Sequence, residues 1–109
     1  LGLPGVGPSN PTHALGRGTI AEGQELWYRL NVTDAGMPIA ATLLATDSIE
    51  NYYDLDLYLY DEAGTELAVA QNVGREEIII FQPVTRGKYF LKIHGFEGGG
   101  PFTLDASWR

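Results

Sequence analysis

The stretch that most constrains the fold is Asp54-Leu55-Asp56-Leu57-Tyr58-Leu59-Tyr60-Asp61. Leu55, Leu57 and Leu59 alternate strictly with Asp54, Asp56, Tyr58 and Tyr60. Successive side chains of a β-strand point to opposite faces, so this period sends three leucines into a core together. The other face carries two carboxylates and then two phenol rings. Asp61-Glu62-Ala63-Gly64 supplies turn chemistry that ends the strand. The stretch therefore predicts a central strand with one apolar face and one outer face bearing Asp54, Asp56, Tyr58 and Tyr60.

The same reading applied along the chain gives seven or eight strands. Residues 1 to 18 hold five glycines, three prolines and no acid, and residues 1 to 15 read as a linker or N-terminal extension. The domain proper is expected over residues 16 to 109. Thr19 to Ala21 is a short strand candidate. Glu25 to Val32 is a stronger one, with Leu26, Tyr28, Leu30 and Val32 inward and Glu25, Trp27, Arg29 and Asn31 outward. Ile39 to Thr46, Glu66 to Gln71 and Glu76 to Phe81 follow. The solid apolar run Ile78-Ile79-Ile80-Phe81 predicts a strand covered on both faces. Lys88 to His94 alternates again, with Tyr89, Leu91 and Ile93 against Lys88, Phe90, Lys92 and His94, and in the last strand Phe102, Leu104, Ala106 and Trp108 share one face. No segment keeps a helical period over three turns. Short, evenly spaced strands with Gly-rich turns predict an all-β fold, an antiparallel β-sandwich of the jelly-roll or Ig-like kind.

A chain of 109 residues fits one domain, and an apolar fraction of 44% is enough for one core. The formal charge is −7, from 14 acids and 7 bases, which argues against nucleic acid and against anionic membrane surfaces as partners. Nine of the acids lie between Asp47 and Glu77, where Arg75 is the only base. That local negative field suits a metal cation or a basic partner, or simply a solvated surface. The absence of cysteine excludes disulfides and thiolate chemistry. No apolar run approaches the roughly 20 residues that span a bilayer.

Asp54 and Asp56 are two apart on a strand, hence on one face and roughly 7 Å apart at Cα. Together with Asp47 and Glu50 they are candidate ligands for calcium, which takes six to eight oxygens from several segments. The competing reading has both aspartates bonded to turn backbone or facing water. Tyr52, Tyr53, Tyr58 and Tyr60 cluster with the acids and are candidate contacts to a polymer, because exposed rings in a row offer rigid, flat contact area. The competing reading has them covered by a neighbouring strand. The two histidines, His13 and His94, do not form a zinc-ligand pattern, and no nucleophile, metalloprotease or phosphate-loop motif is present. The chain reads as non-catalytic.

Four pieces in order resemble the bacterial pre-peptidase C-terminal domain. They are Leu26-Trp27-Tyr28-Arg29-Leu30, the Asp54–Asp61 strand, Glu77-Ile78 followed by Gly87-Lys88-Tyr89-Phe90-Leu91-Lys92-Ile93, and Phe102-Thr103-Leu104. The resemblance covers about residues 16 to 108. It implies a β-sandwich appended to a secreted or surface-exposed bacterial hydrolase, most often a peptidase, whose upstream catalytic domain would be its partner in the same chain. The family is similar to the collagen-binding domains of bacterial collagenases, some of which bind calcium. The collagenase-type calcium site draws acids from the segment before the sandwich, and residues 1 to 18 have none. The resemblance thus implies an accessory domain, expected to be a monomer; the start at Leu1 without Met or a charged-then-apolar leader reads as a piece of a longer protein or a mature processed form. It would assist export or folding, or attachment to a fibrous protein or polysaccharide. The alternative is a structural spacer without a ligand.

Overall fold

Each alternating segment becomes a strand. In the computed structural model, which describes residues 12–46, 52–71 and 75–109, eight strands run in the order β1 (Thr12–Ile20), β2 (Glu25–Val32), β3 (Ile39–Ala45), β4 (Asp54–Asp61), β5 (Glu66–Ala70), β6 (Glu76–Phe81), β7 (Gly87–Glu97) and β8 (Gly100–Trp108). They form two four-stranded sheets, β1-β8-β3-β6 and β2-β7-β4-β5, and every pairing is antiparallel. This interleaved order is that of a jelly roll, so the jelly-roll alternative of the sequence reading is the one adopted.

The inner faces are the ones the alternation assigned. Leu55, Leu57 and Leu59 of β4, Tyr89, Leu91 and Ile93 of β7, and Leu30 and Val32 of β2 meet Ile39, Ala41 and Leu43 of β3 and Phe102, Leu104, Ala106 and Trp108 of β8 in a single core. The sheets are also stitched by polar contacts. The Trp108 indole N–H donates to the Asn31 carbonyl at 3.2 Å, and the Thr33 N–H donates to the Arg109 carbonyl at 2.9 Å. An indole can be buried only where its N–H finds such an acceptor.

Two expectations are corrected. Strand β1 begins at Thr12, not Thr19, so Thr12 to Leu15 belong to the sandwich and not to a linker. Its partner β8 supplies a full ladder, from Thr12 opposite Trp108 to Ile20 opposite Gly100, and backbone hydrogen bonding overrides the local glycine content. Strand β6 is covered on one face only: Glu77 and Ile79 are buried, while Ile78 is 52% and Ile80 73% exposed. It ends its sheet beside β3, and an edge strand of a two-layer sandwich has only its inner face against a core.

Candidate functional site

Register places the outward side chains of the β2-β7-β4-β5 sheet in rows. Lys92 of β7 lies opposite Trp27 of β2 on one side and Tyr58 of β4 on the other, and Tyr58 in turn faces Val69 of β5. In the next row Phe90 lies between Arg29 and Tyr60. Cross-strand neighbours of this kind sit close enough for their side chains to touch.

They do touch. The Trp27 and Tyr60 rings are 5.2 Å apart between centroids and tilted by 41°, and Tyr58 and Tyr60 stack at 6.2 Å. The Lys92 ammonium sits over all three rings, 4.2 Å from the Tyr58 centroid, 5.2 Å from Tyr60 and 5.5 Å from Trp27. A cation over a ring face is attracted by the ring quadrupole. Lys92 also pairs with Glu25 at 3.4 Å. Burial works to lower its pKa, but hydrogen bonding and charge interaction with Tyr60 and Glu25 outweigh it, and the ammonium is held above its ordinary value. Gln71 donates to the Tyr58 hydroxyl at 2.8 Å. The rings are thus fixed before any ligand arrives. Beside them runs a groove of ≈ 400 Å³ lined by Trp27, Tyr60, Phe90, Gly64 and the acids Asp61 and Glu62.

Of the four tyrosines the sequence nominated, Tyr58 and Tyr60 stand on this face, half-buried by each other and by Lys92. Tyr52 is exposed just before β4. Tyr53 leaves the set. It is 1% exposed, packs in the core and donates its hydroxyl to the Pro101 carbonyl. It precedes the strand, where the strict alternation no longer assigns a face, and its ring fills the space over Gly100. Trp27, Phe90 and Lys92 were not nominated. The alternation put all three on outward faces, but only the register reveals that β7 carries them next to β4.

The aspartates are not on an open face. Asp54 is 4% and Asp56 3% exposed, and both come together with Glu77 of β6, itself 1% exposed. One carboxylate oxygen from each of the three lies within 4.8 Å of the other two. Opposite the Asp54–Leu55 step β7 carries one extra residue, Phe96, so that Asp54 faces Glu97 while Leu55 faces Gly95. Bulges bend a strand and re-aim its side chains. Gln71 and Phe96 join Asp54 and Asp56 around a cavity of ≈ 230 Å³. Burial, and then the charge of Glu97, raise the Asp54 pKa. Burial and then Asp54 raise that of Asp56, against a smaller lowering effect of His94 across the strand pair. Asp47 and Glu50 lie outside the described residues. Glu77 was read only as part of a family-like strand, because its partners are more than twenty positions away in sequence.

The histidines are far from forming a shared site. His94 is on β7, whereas His13 is on β1 in the other sheet, with Nε2 2.5 Å from an Asp105 oxygen. Ser107 lies opposite His13 in the ladder. The His13–Asp105 pair stands on an exposed sheet surface and reads as a solvated surface contact. Among the described residues no helix is long and apolar enough to cross a membrane.

No family model matches the chain, and no curated protein matches it. Solved structures do. The chain is similar to the pre-peptidase C-terminal domain of a collagenase from Bacillus anthracis, with 21% identity and a TM-score of 0.72 over 97% of this chain and 90% of that one. It is similar to the Yersinia pseudotuberculosis-derived mitogen, with 18% identity and a TM-score of 0.67 over 92% and 88% of the two chains. It is also similar to PliG of Aeromonas hydrophila, a periplasmic lysozyme inhibitor of g-type lysozyme, with 13% identity and a TM-score of 0.67 over 97% and 94%. A mitogen and an enzyme inhibitor on one scaffold show that this sandwich does not dictate a task. What the likeness carries is the architecture: the resemblance drawn from the Asp54–Asp61 strand returns in three dimensions, and the fold is that of a pre-peptidase C-terminal domain.

Proposed function

We propose that this chain is a non-catalytic accessory domain of a secreted bacterial peptidase, and that its aromatic face holds the parent enzyme on a fibrous protein substrate. The observation that carries the reading is the face itself: Trp27, Tyr58 and Tyr60 arranged around Lys92, with Phe90 beside them along the groove. Ordering side chains on binding costs about 0.5–1.5 kcal/mol each, and rings already held in place avoid that cost. Aromatic-lined grooves suit extended, proline-rich polypeptides, whose polyproline II conformation is also preorganised. The acids Asp61 and Glu62 at the groove offer partners to basic side chains of such a polymer. The likeness to a collagenase domain supports a peptidase as the parent and an extracellular setting. One weak contact matters in such a protein because tethering raises the effective concentration of the catalytic domain at the surface.

The test is sedimentation with insoluble collagen, with chitin and cellulose as comparison polymers. Wild type should pellet with collagen. Trp27→Ala and Tyr60→Ala should each weaken binding several-fold while leaving the far-UV spectrum and melting transition close to wild type. Preferential pelleting with chitin or cellulose would move the substrate class to polysaccharide. A protein that stays in the supernatant with every polymer overturns the attachment reading in favour of the spacer.

A further inference from the structure

We infer that Asp54, Asp56 and Glu77 form a binding site for a hard divalent cation, calcium before magnesium or manganese, that ties the two sheets together. The inference stands apart from the polymer-binding reading, since none of its residues lies in the aromatic groove. It also differs in place from a collagenase-type site, which would need acids ahead of the sandwich.

The geometry makes the first argument. The three ligand oxygens lie within 4.8 Å of one another. Three oxygens on one calcium ion, each about 2.3–2.6 Å from it, are separated by up to about 4–5 Å, so a cluster of this size is on the scale of one coordination sphere. The donors are all carboxylates, with no imidazole or thiolate among them, and such a set suits a hard ion. Asp54 and Asp56 also border the cavity lined by Gln71 and Phe96, which gives an ion and its remaining water ligands a way in.

Burial makes the second argument, and it is independent. An acidic cluster on a surface needs no ion, because water solvates it. This cluster is not on the surface: each of the three residues is at least 96% buried, the least so being Asp54 at 4% exposed. The Asp54 Oδ1 atom has no hydrogen-bond partner among the described residues although it is shut away from water. A buried carboxylate oxygen without a partner is costly, and a fold keeps one only where something compensates it. Buried carboxylates held this close repel one another, and a cation between them would relieve that repulsion.

Position gives the site its consequence. Asp54 and Asp56 belong to β4 of one sheet and Glu77 to β6 of the other. An ion held by all three would be a cross-link between the layers. Such a ligand, bound by the native state and not by the unfolded chain, stabilises the fold by mass action.

The experiment uses the whole chain, stripped with chelator and dialysed. Titration calorimetry with calcium should give one site. Terbium, a calcium-sized probe, should show luminescence sensitised by the neighbouring tyrosines, and calcium should compete it away. The melting temperature should rise with millimolar calcium and fall back in chelator. Asp54→Asn and Glu77→Gln keep side-chain shape while removing charge, and each should weaken terbium binding at least tenfold. Should an amide variant fail to fold, the wild-type calorimetry and chelator comparison still decide the matter. Identical melting in chelator and in millimolar calcium, magnesium or manganese, with no heat of binding, overturns the inference. So does ion binding that survives in both amide variants, because the ion would then sit elsewhere. Wild-type pelleting with collagen in the presence of chelator would leave the attachment reading intact even if the cation site failed, so the two can fail separately.

Discussion

Leu57→Ala tests the face assignment on which every other statement about β4 rests. Leu57 is fully buried at the centre of the strand, opposite Ile93 of β7 and Ala70 of β5. Its neighbours two residues away, Leu55 and Leu59, point the same way, so the core around it is lined by side chains anchored in two ladders. Such surroundings cannot collapse into a hole. Truncating a buried leucine costs about 2–5 kcal/mol, and the upper part of that range applies where the cavity persists, at roughly 24 cal/mol per Å³ left empty. We therefore expect a loss of about 3–5 kcal/mol. With an unfolding entropy of about 2.1 cal/mol/K per residue, the melting temperature of a chain this long should fall by roughly 13–22 °C. Urea denaturation of wild type and variant, fitted with a common slope, measures it directly. Val69→Ala on the outer face of the adjoining strand is the control and should stay within about 0.5 kcal/mol. A loss below about 1 kcal/mol for Leu57→Ala would mean that the leucines do not face the core, and the outward placement of Tyr58 and Tyr60 would fall with it.

Gly95→Ala should destabilise by about 1–3 kcal/mol, the usual cost of overpacking, because a Cβ there would stand 2.4 Å from the Ala21 carbonyl oxygen, which is backbone and cannot rotate away; a melting transition at the wild-type temperature would contradict it. The buried aspartates give a pH dependence of definite sign. Their folded pKa values are raised, so in chelator their contribution is fully present below the ordinary carboxylate value near 3.8 and is lost as pH rises through the folded values. Among the described residues Glu97, Glu77, His94 and Tyr52 are titratable groups that face them. Denaturant midpoints in chelator should show this fall, and the Asp54→Asn, Asp56→Asn double variant should flatten it; an unchanged slope in the double variant would refute the assignment.

The fold was legible because period and turn chemistry agree along most of the chain. Leu57, Leu91 and Leu104 each sit in an alternating run, and each is buried on the expected side. The reading failed where the determinant was not local. Ile78 and Ile80 look like core in a run of four apolar residues, but a two-layer sandwich covers only the inner face of β6, and they stand on the outer one. Thr12 to Leu15 look like linker until β8 arrives to pair with them. The aromatic face was half legible. Tyr58 and Tyr60 announce themselves by spacing, whereas the contributions of Trp27 and Lys92 depend on two registers that no single strand encodes. The carboxylates were read with the right residues on the wrong kind of surface. Alternation assigned Asp54 and Asp56 to an open outer face, but both are buried where Glu77 approaches from the other sheet, beside the extra residue Phe96 of β7.

Strand β4 carries both candidate sites, and the spacing of its rows explains how they stay independent. Asp56 lies in the row of Glu25 and His94, and Tyr58 in the next outward row, with Trp27 and Lys92. Rows two residues apart are separated by roughly 7 Å at Cα, so the aspartates and the stacked rings occupy different rows. The rings are fixed by what surrounds them: the leucines behind, the Lys92 ammonium above and Glu25 holding that ammonium. A cation bridging β4 to β6 would stiffen the strand at its first residues and oppose separation of the sheets. It would therefore act on the unfolding equilibrium, whereas the preorganised face depends on contacts already made within its own sheet. Glu25 is the link to examine, since through Lys92 it joins the acid row to the aromatic row. In this arrangement Glu25 holds Lys92 over the rings while Asp54 and Asp56, with Glu77, would serve the ion, which divides the acids of the two outward rows between separate roles.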